Sequence, residues 1–262
     1  MEFSRLPVRR VERASYAVLP GEEPDAPEPA AGDRPPTPVW PLTVPAVVQL
    51  LENGLDLADC TILVGENGSG KSTIVEAIAA AYGLGVEGGS TGARHQTFAS
   101  ESPLHEWLTL VRGAGASKWG YFVRAETMHG LFSYLSANRS ESPWSRDPEF
   151  HTLSHGESFV ALLGSSRFAK DGFFVMDEPE AGLSFETQLT LVGQLTLLAA
   201  RRGAQVLVAT HSPVIAALPG ARILQVDDTG IHPVRWEQLA VVDHYRRFLD
   251  APQRYLRHLV EH

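Results

Sequence analysis

Long apolar runs are missing from this sequence: no stretch reaches the roughly 18–20 residues needed to cross a bilayer, so no membrane insertion is expected. The Arg-rich segment Met1–Arg13 is not followed by an apolar stretch, which sets aside a signal peptide. Cysteine is nearly absent. Cys60 stands alone, so an internal disulfide is impossible and a reducing cytoplasm is the expected compartment. It lies just before an apolar strand and reads as a buried structural thiol rather than a reactive one. Basic excess is also lacking: the net charge of −9 argues against a surface built chiefly to grip nucleic acid. Residues 20–38 hold five acids and one base, net −4, and the rest of the chain is −5. That balance leaves room for a local basic face.

What is present suffices for a sizeable core, since 44% of the 262 residues are hydrophobic. Residues 20–45 contain nine of the eighteen prolines. Such a segment cannot bury enough apolar surface to offset its ordering entropy, so it reads as an exposed acidic loop. Val8–Leu19 before it reads as an edge strand. After it, strands and helices alternate: strand Thr61–Val64, helix Ser72–Tyr82, helix Pro103–Val111, strand Tyr121–Arg124 and helix Met128–Ser136. A helix from Gly156 to about Arg167 leads to strand Phe173–Met176 and helix Ser184–Arg201. Strand Gln205–Ala209, helix Pro213–Ala217 and strand Arg222–Val226 follow, and residues 238–262 are helical with a break near Pro252. This alternation implies an α/β fold with a mostly parallel central sheet covered by helices. The whole of 1–262 reads as one domain.

Two segments carry chemistry. Gly65-Glu66-Asn67-Gly68-Ser69-Gly70-Lys71-Ser72-Thr73 matches the phosphate-binding loop G-x-x-x-x-G-K-[ST], between a strand and a helix as that loop requires. Glycines let backbone N–H groups of Asn67, Gly68, Ser69 and Gly70 converge on phosphates, and the helix dipole favours the same anion. Lys71 is placed to reach the β- and γ-phosphates of ATP, and the Ser72 hydroxyl to ligate Mg²⁺. The second segment is the apolar strand ending in Asp177 and Glu178. There Asp177 can orient the Mg²⁺ shell and Glu178 can take a proton from the attacking water. A further strand runs into Thr210-His211-Ser212-Pro213, where His211 could contact a γ-phosphate.

Leu153-Ser154-His155-Gly156-Glu157, read alone, is a polar helix start with Ser154 or Ser158 as cap. In order with the others it resembles the signature sequence L-S-G-G-[QE] of the ABC-type ATPases. The chain resembles a compact member of their SMC-like, RecF-like and OLD-like branch, close to small bacterial AAA-family ATPases. The resemblance implies an antiparallel N-terminal edge, a small helical signature region and a head-to-tail homodimer closed on ATP. Ser154, Gly156 and Glu157 of one copy would then meet the ATP on the other. His155 stands where the signature has its first glycine, and Ser184 where many family members carry Asp. For the family's Mg²⁺-linked glutamine the candidate is Gln96, which reads equally as a surface residue.

Other constellations are weaker. His151 and His155 have metal-pair spacing but no obvious third ligand, and the structural reading is preferred. Tyr245-Arg246-Arg247, Arg254, Arg257 and His258 could form a nucleic-acid face, although such charges are more often a solvated helix face. For the role of the ATPase, the D-E-P-E and L-S-x-G-E forms favour DNA maintenance or antiviral defence alongside a DNA, nuclease or effector partner. Only 82 positions separate Ser72 from Ser154, too few for a long coiled coil. A transporter's nucleotide-binding subunit is the alternative; such subunits usually carry an aromatic residue ahead of the loop, for which Trp40 is a poor substitute. A sensor with little turnover is a third reading, which the intact Glu178 disfavours.

Overall fold

The computed structural model describes residues 5–22, 39–85, 88–91, 102–128, 130–132 and 152–260. Its main sheet has seven strands. In chain order the chain's strands are β1 (Arg10–Arg13), β2 (Leu55–Asp56), β3 (Cys60–Val64), β4 (Gly89–Ser90), β5 (Leu108–Val111) and β6 (Gly120–Arg124). They continue with β7 (Gly172–Asp177), β8 (Ala204–Thr210), β9 (Arg222–Asp227) and β10 (Gly230–Pro233). The main sheet runs β10-β9-β3-β8-β7-β6-β4. Strands β9, β3, β8, β7 and β6 are mutually parallel, and β10 and β4 close the edges antiparallel. A separate antiparallel sheet, β2-β1-β5, holds the N-terminal strand.

Strands β3, β7 and β8 are buried at every position and largely apolar because both faces are covered. Leu63, Val175, Leu207 and Ala209 pack on one side with α2 (Lys71–Tyr82) and α1 (Pro45–Asn53). Ile62, Val64, Phe174, Met176, Val206 and Val208 pack on the other. That second face is covered by helices α3 (His155–Leu163) and α4 (Phe185–Ala199). Alternation along each strand sends neighbouring side chains into different cores.

Several expected boundaries shift. Pro103–Val111 is not a helix: Pro103–Trp107 forms a 3₁₀ turn capped by Ser102, and Leu108–Val111 is a strand paired with β1. Leu-Thr-Leu-Val fits both a period of two and a helical period, and the available partner strand decides. The N-terminal strand is shorter than Val8–Leu19, and Pro213–Ala217 narrows to a 3₁₀ turn at Ile215–Ala217. The expected helix at Met128–Ser136 is described only in part, with helical geometry at Met128 and 130–132. Most of the Pro-rich loop, 23–38, lies outside the described residues. Cys60 is buried, and burial pushes its thiol up to about 12. It is an inert packing residue, as expected.

The tail forms α5 (Ala240–Asp250) and α6 (Pro252–Val260), with Pro252 starting the second helix where its missing N–H costs nothing. Its basic residues are partly engaged: Arg247 pairs with Asp243 at 2.8 Å, and Arg246 lies 5.2 Å over the Trp236 ring. No described helix is long and apolar enough to cross a membrane.

Gln205 fastens the two sheets together. It is fully buried on β8, accepts from Val8 N–H at 2.8 Å, and donates to Val8 O and Ala58 O at 2.6 and 3.0 Å. A leucine of similar size would leave those buried backbone groups unpaired, at about 1–3 kcal/mol each. Gln205→Leu is therefore expected to lower unfolding free energy by about 3 kcal/mol, read from the urea midpoint. An unchanged midpoint would show that the N-terminal sheet does not depend on this clamp.

Candidate functional site

The phosphate-binding loop leaves β3 at Val64 and enters α2 at Lys71. Its first glycine is enforced by contact: a Cβ on Gly65 would sit 2.1 Å from the Val226 carbonyl oxygen on β9. Gly68 and Gly70 take φ of 81° and 97°, left-handed conformations that turn backbone N–H groups into a concave anion site. Gly70 is the N-cap of α2 and contributes no side-chain cap, so the helix start stays open toward the loop. Asn67 is exposed at the loop tip, and Ser72 and Thr73 are half-buried in the first helical turn. The buried Ser69 hydroxyl has no hydrogen-bond partner among the described residues, the condition of a donor open to a ligand oxygen.

Lys71 is only 3% exposed, and its ammonium donates to the Glu66 carbonyl at 2.7 Å. Burial lowers its pKa, while the charges of Glu178, Asp177, Glu180 and Glu66 act in the opposite sense. Four acids around one buried cation mark a site organised for positive charge facing a ligand.

Strand β7 brings the acids to the same place. Asp177 ends the strand, buried, and Ser72 Oγ donates to its Oδ1 at 3.0 Å across 105 residues of sequence. Burial pushes the Asp177 carboxyl up to about 6, against the pull of the Ser72 hydroxyl and the Arg124 charge. Arg124 is opposite Asp177 on β6, with Nε 3.9 Å from Oδ2 and Nη2 2.8 Å from Glu76.

Glu178 adopts φ 49°, alone among the described non-glycine residues in the left-handed region. That conformation costs of the order of 1 kcal/mol or more and persists only where the surroundings enforce it. Here the Glu178 N–H donates to Ala209 O on β8 at 2.9 Å, and the carboxylate turns toward His211, whose Nδ1 is 3.6 Å away.

Sequence reasoning missed the residue that shapes this corner. Glu180 is buried, and its Oε1 accepts from Thr210 Oγ1, from His211 N–H at 3.0 Å and from Ser212 N–H at 3.1 Å. It fixes the turn that carries His211. The third acid of D-E-P-E is the available signal: it follows the end of β7 by three residues, beside the exit of β8, its parallel neighbour. Ser212 Oγ in turn donates to Gln188 on α4 at 2.7 Å.

Ser154, Gly156 and Glu157 occupy the start of α3, and among the described residues they do not line the cavity beside the loop. Ser154 and Glu157 form a reciprocal capping box: Ser154 Oγ accepts from Glu157 N–H, and Glu157 accepts from Ser154 N–H at 2.8 Å. A Cβ on Gly156 would press Thr187 Cγ2 at 3.1 Å, so the glycine lets α3 lie close against the start of α4. Ser184, where an Asp was the family norm, is the N-cap of α4 and accepts from Thr187 N–H at 3.2 Å. Helix α3 begins at His155, with Ser154 as its N-cap. Gln96, His151 and the His155 side chain lie outside the described residues.

Comparison with known proteins agrees with this geometry. Residues 141–217 match the family model described as "AAA domain, putative AbiEii toxin, Type IV TA system", and residues 55–107 match a second, described as "AAA domain". The chain is 31% identical over 187 residues to the aliphatic sulfonates import ATP-binding protein SsuB 1 of Streptomyces avermitilis. That alignment covers 70% of this chain and 68% of the relative. It is 28% identical over 159 residues to the zinc import ATP-binding protein ZnuC of Vibrio cholerae, covering 60% and 58%. Among solved structures, the SMC head domain from Thermotoga maritima aligns at 17% identity and a TM-score of 0.41, over 70% of this chain and 93% of that one. With the loop, the strand-end acids and a relative of this identity and coverage, the chain belongs to the AAA-family, ABC-type P-loop ATPases.

Proposed function

We propose that the protein binds ATP with Mg²⁺ on Gly65–Thr73 and hydrolyses it as a head-to-tail dimer. The observation that carries this reading is the 3.0 Å hydrogen bond from Ser72 to Asp177. It joins the hydroxyl that follows the phosphate loop to the acid at the end of β7, two strands from β3 in the sheet. The pair suits Mg²⁺, which commonly takes one or two protein oxygens and completes its shell with phosphate and water. When bound, the ion would neutralise charge on the β- and γ-phosphates.

The chain's own groups divide the remaining work. Lys71 offers a desolvated cation to the phosphates, stronger for being buried. Glu178, on its enforced left-handed backbone, takes the proton of the attacking water. His211 reaches the γ-phosphate from the turn that Glu180 holds. Ser154, Gly156 and Glu157 of a second copy present the start of α3 to the same phosphate, a helix N-terminus suited to an anion.

Asp177→Asn tests the metal part of this reading. Wild-type affinity for ATP is expected to fall roughly tenfold when Mg²⁺ is replaced by EDTA, about 1.4 kcal/mol. The variant should show little difference between the two conditions by calorimetry. A variant with full Mg²⁺ dependence would move the ion elsewhere.

For the biological process, DNA maintenance or defence with a nuclease or effector partner draws support from the toxin–antitoxin description of the family model at 141–217. Service to an import system draws support from the sulfonate-import relative. Turnover measured with duplex DNA at 50 and 200 mM salt separates them. Stimulation that fades steeply with salt supports the first, and none at either salt supports the second.

A further inference from the structure

A cavity of about 1000 Å³ opens beside the phosphate-binding loop. The loop and His211 form one wall, and the first two turns of α5 form the other, through Val241, His244 and Tyr245. These three stand at i, i+3 and i+4, one face of a helix. The helix is anchored by Val242, buried in the core between these positions, and by Leu239, the buried N-cap that also lines the cavity. Two further contacts hold the helix in place. Trp236 Nε1 donates to Pro213 O at 2.8 Å, next to the His211 turn, and Arg246 covers the Trp236 ring. From α6, Tyr255 meets His244 with a 3.1 Å hydrogen bond and an edge-on ring contact at 6.1 Å. The cavity wall is thus a braced surface.

Its two ends differ in chemistry. The loop end offers the backbone of Gly65–Ser69, with Glu66 among it, and the Ser69 hydroxyl, which has no partner among the described residues; Lys71 lies behind the loop, bonded to the Glu66 carbonyl. The far end is aliphatic and aromatic, with Asp227 and Asp228 on the rim. Asp227 already accepts from Thr229 and Gln225, which holds its carboxyl down at about 2; Asp228 is exposed. Carboxylates at this end repel a phosphate and accept from hydroxyl or amino groups. A ligand matching both ends has an anionic head and a flat, hydrogen-donating tail. Trp40, the aromatic ahead of the loop, is not among the residues lining the cavity.

We infer that the far end receives the nucleoside half of the nucleotide, with Tyr245 of the C-terminal helix as the ring against which the base stacks. The inference rests on the nucleotide reading of Gly65–Thr73. It places a specificity-determining aromatic after the phosphate loop in the chain, on a helix that Val242 anchors in the core.

Binding of two probes, ATP and inorganic tripolyphosphate, is measured on full-length wild type, Tyr245→Ala, Tyr245→Phe and Lys71→Ala. Base–aromatic stacking is worth about 1–3 kcal/mol, so Tyr245→Ala should weaken ATP roughly tenfold. Tyr245→Phe should restore it, and tripolyphosphate should be indifferent to both changes. A 2-aminopurine riboside triphosphate supplies a second readout, quenched on binding to wild type and brighter on Tyr245→Ala. ATP affinity and quenching that ignore Tyr245→Ala would overturn the inference, as would an equal loss of ATP and tripolyphosphate. Failure of the underlying reading looks different: Lys71→Ala would then keep wild-type affinity for both probes.

Discussion

Glu178→Gln is expected to lower ATP turnover by about 10²–10⁴-fold, the range for loss of a general base, while ATP affinity stays within a factor of about three. Glutamine has nearly the same shape, tolerates the same backbone and keeps the N–H that donates to Ala209 O at 2.9 Å. It cannot take up a proton. The φ of 49° places this side chain beyond the strand end, with His211 Nδ1 3.6 Å from its carboxylate. With hydrolysis blocked, ATP should hold two copies together, and size exclusion should show a dimer with ATP and a monomer without. Turnover that survives the substitution would assign the base elsewhere. A protein that stays monomeric at saturating ATP would remove the head-to-tail arrangement and with it the role given to Ser154, Gly156 and Glu157.

The phosphate loop and the acid strand were legible because their chemistry is local. Gly65–Thr73 declares itself by spacing, and Phe173–Asp177 by an apolar run broken by charge. The reason for Gly65 was not legible, because the carbonyl that excludes a side chain belongs to Val226, at the far end of the chain. Glu180 escaped for the same reason: its partners Thr210, His211 and Ser212 lie about thirty positions on, and only the parallel pairing of β7 with β8 brings them together. Pro45 reads as the last proline of the loop at 20–45, and residues 46–53 carry no element in the reading of the sequence. Pro45 is instead the first helical residue, followed by buried Ala46, Val47, Leu50 and Leu51, and the N-terminal position makes that proline a helix signal. At Leu108–Val111 the sequence was ambiguous between periods, and the partner β1 lies nearly a hundred residues away. The signature segment shows the converse. Ser154 and Glu157 satisfied both the capping reading and the family reading, and the capping box is complete within one copy, so a second copy is a separate question that only oligomeric state answers.

Lys71→Ala should abolish measurable ATP binding at ordinary protein concentrations. Truncating one partner of a buried, hydrogen-bonded charge pair costs about 2–5 kcal/mol, which is roughly 30- to 5,000-fold in affinity. The upper part of that range is expected here. The ammonium faces Glu66, Asp177, Glu178 and Glu180, and without it their combined field would oppose an arriving triphosphate. The same substitution should change stability far less. It relieves the desolvation that lowers the Lys71 pKa while losing the attraction of those acids, two effects of opposite sign. The lost bond to the Glu66 carbonyl is at the exposed loop, where water can replace it. Calorimetry with ATP should therefore go flat while the urea midpoint moves little. Retained affinity in a folded variant would place the nucleotide away from this loop, and a large fall in the midpoint would make Lys71 a structural residue whose loss explains nothing about binding.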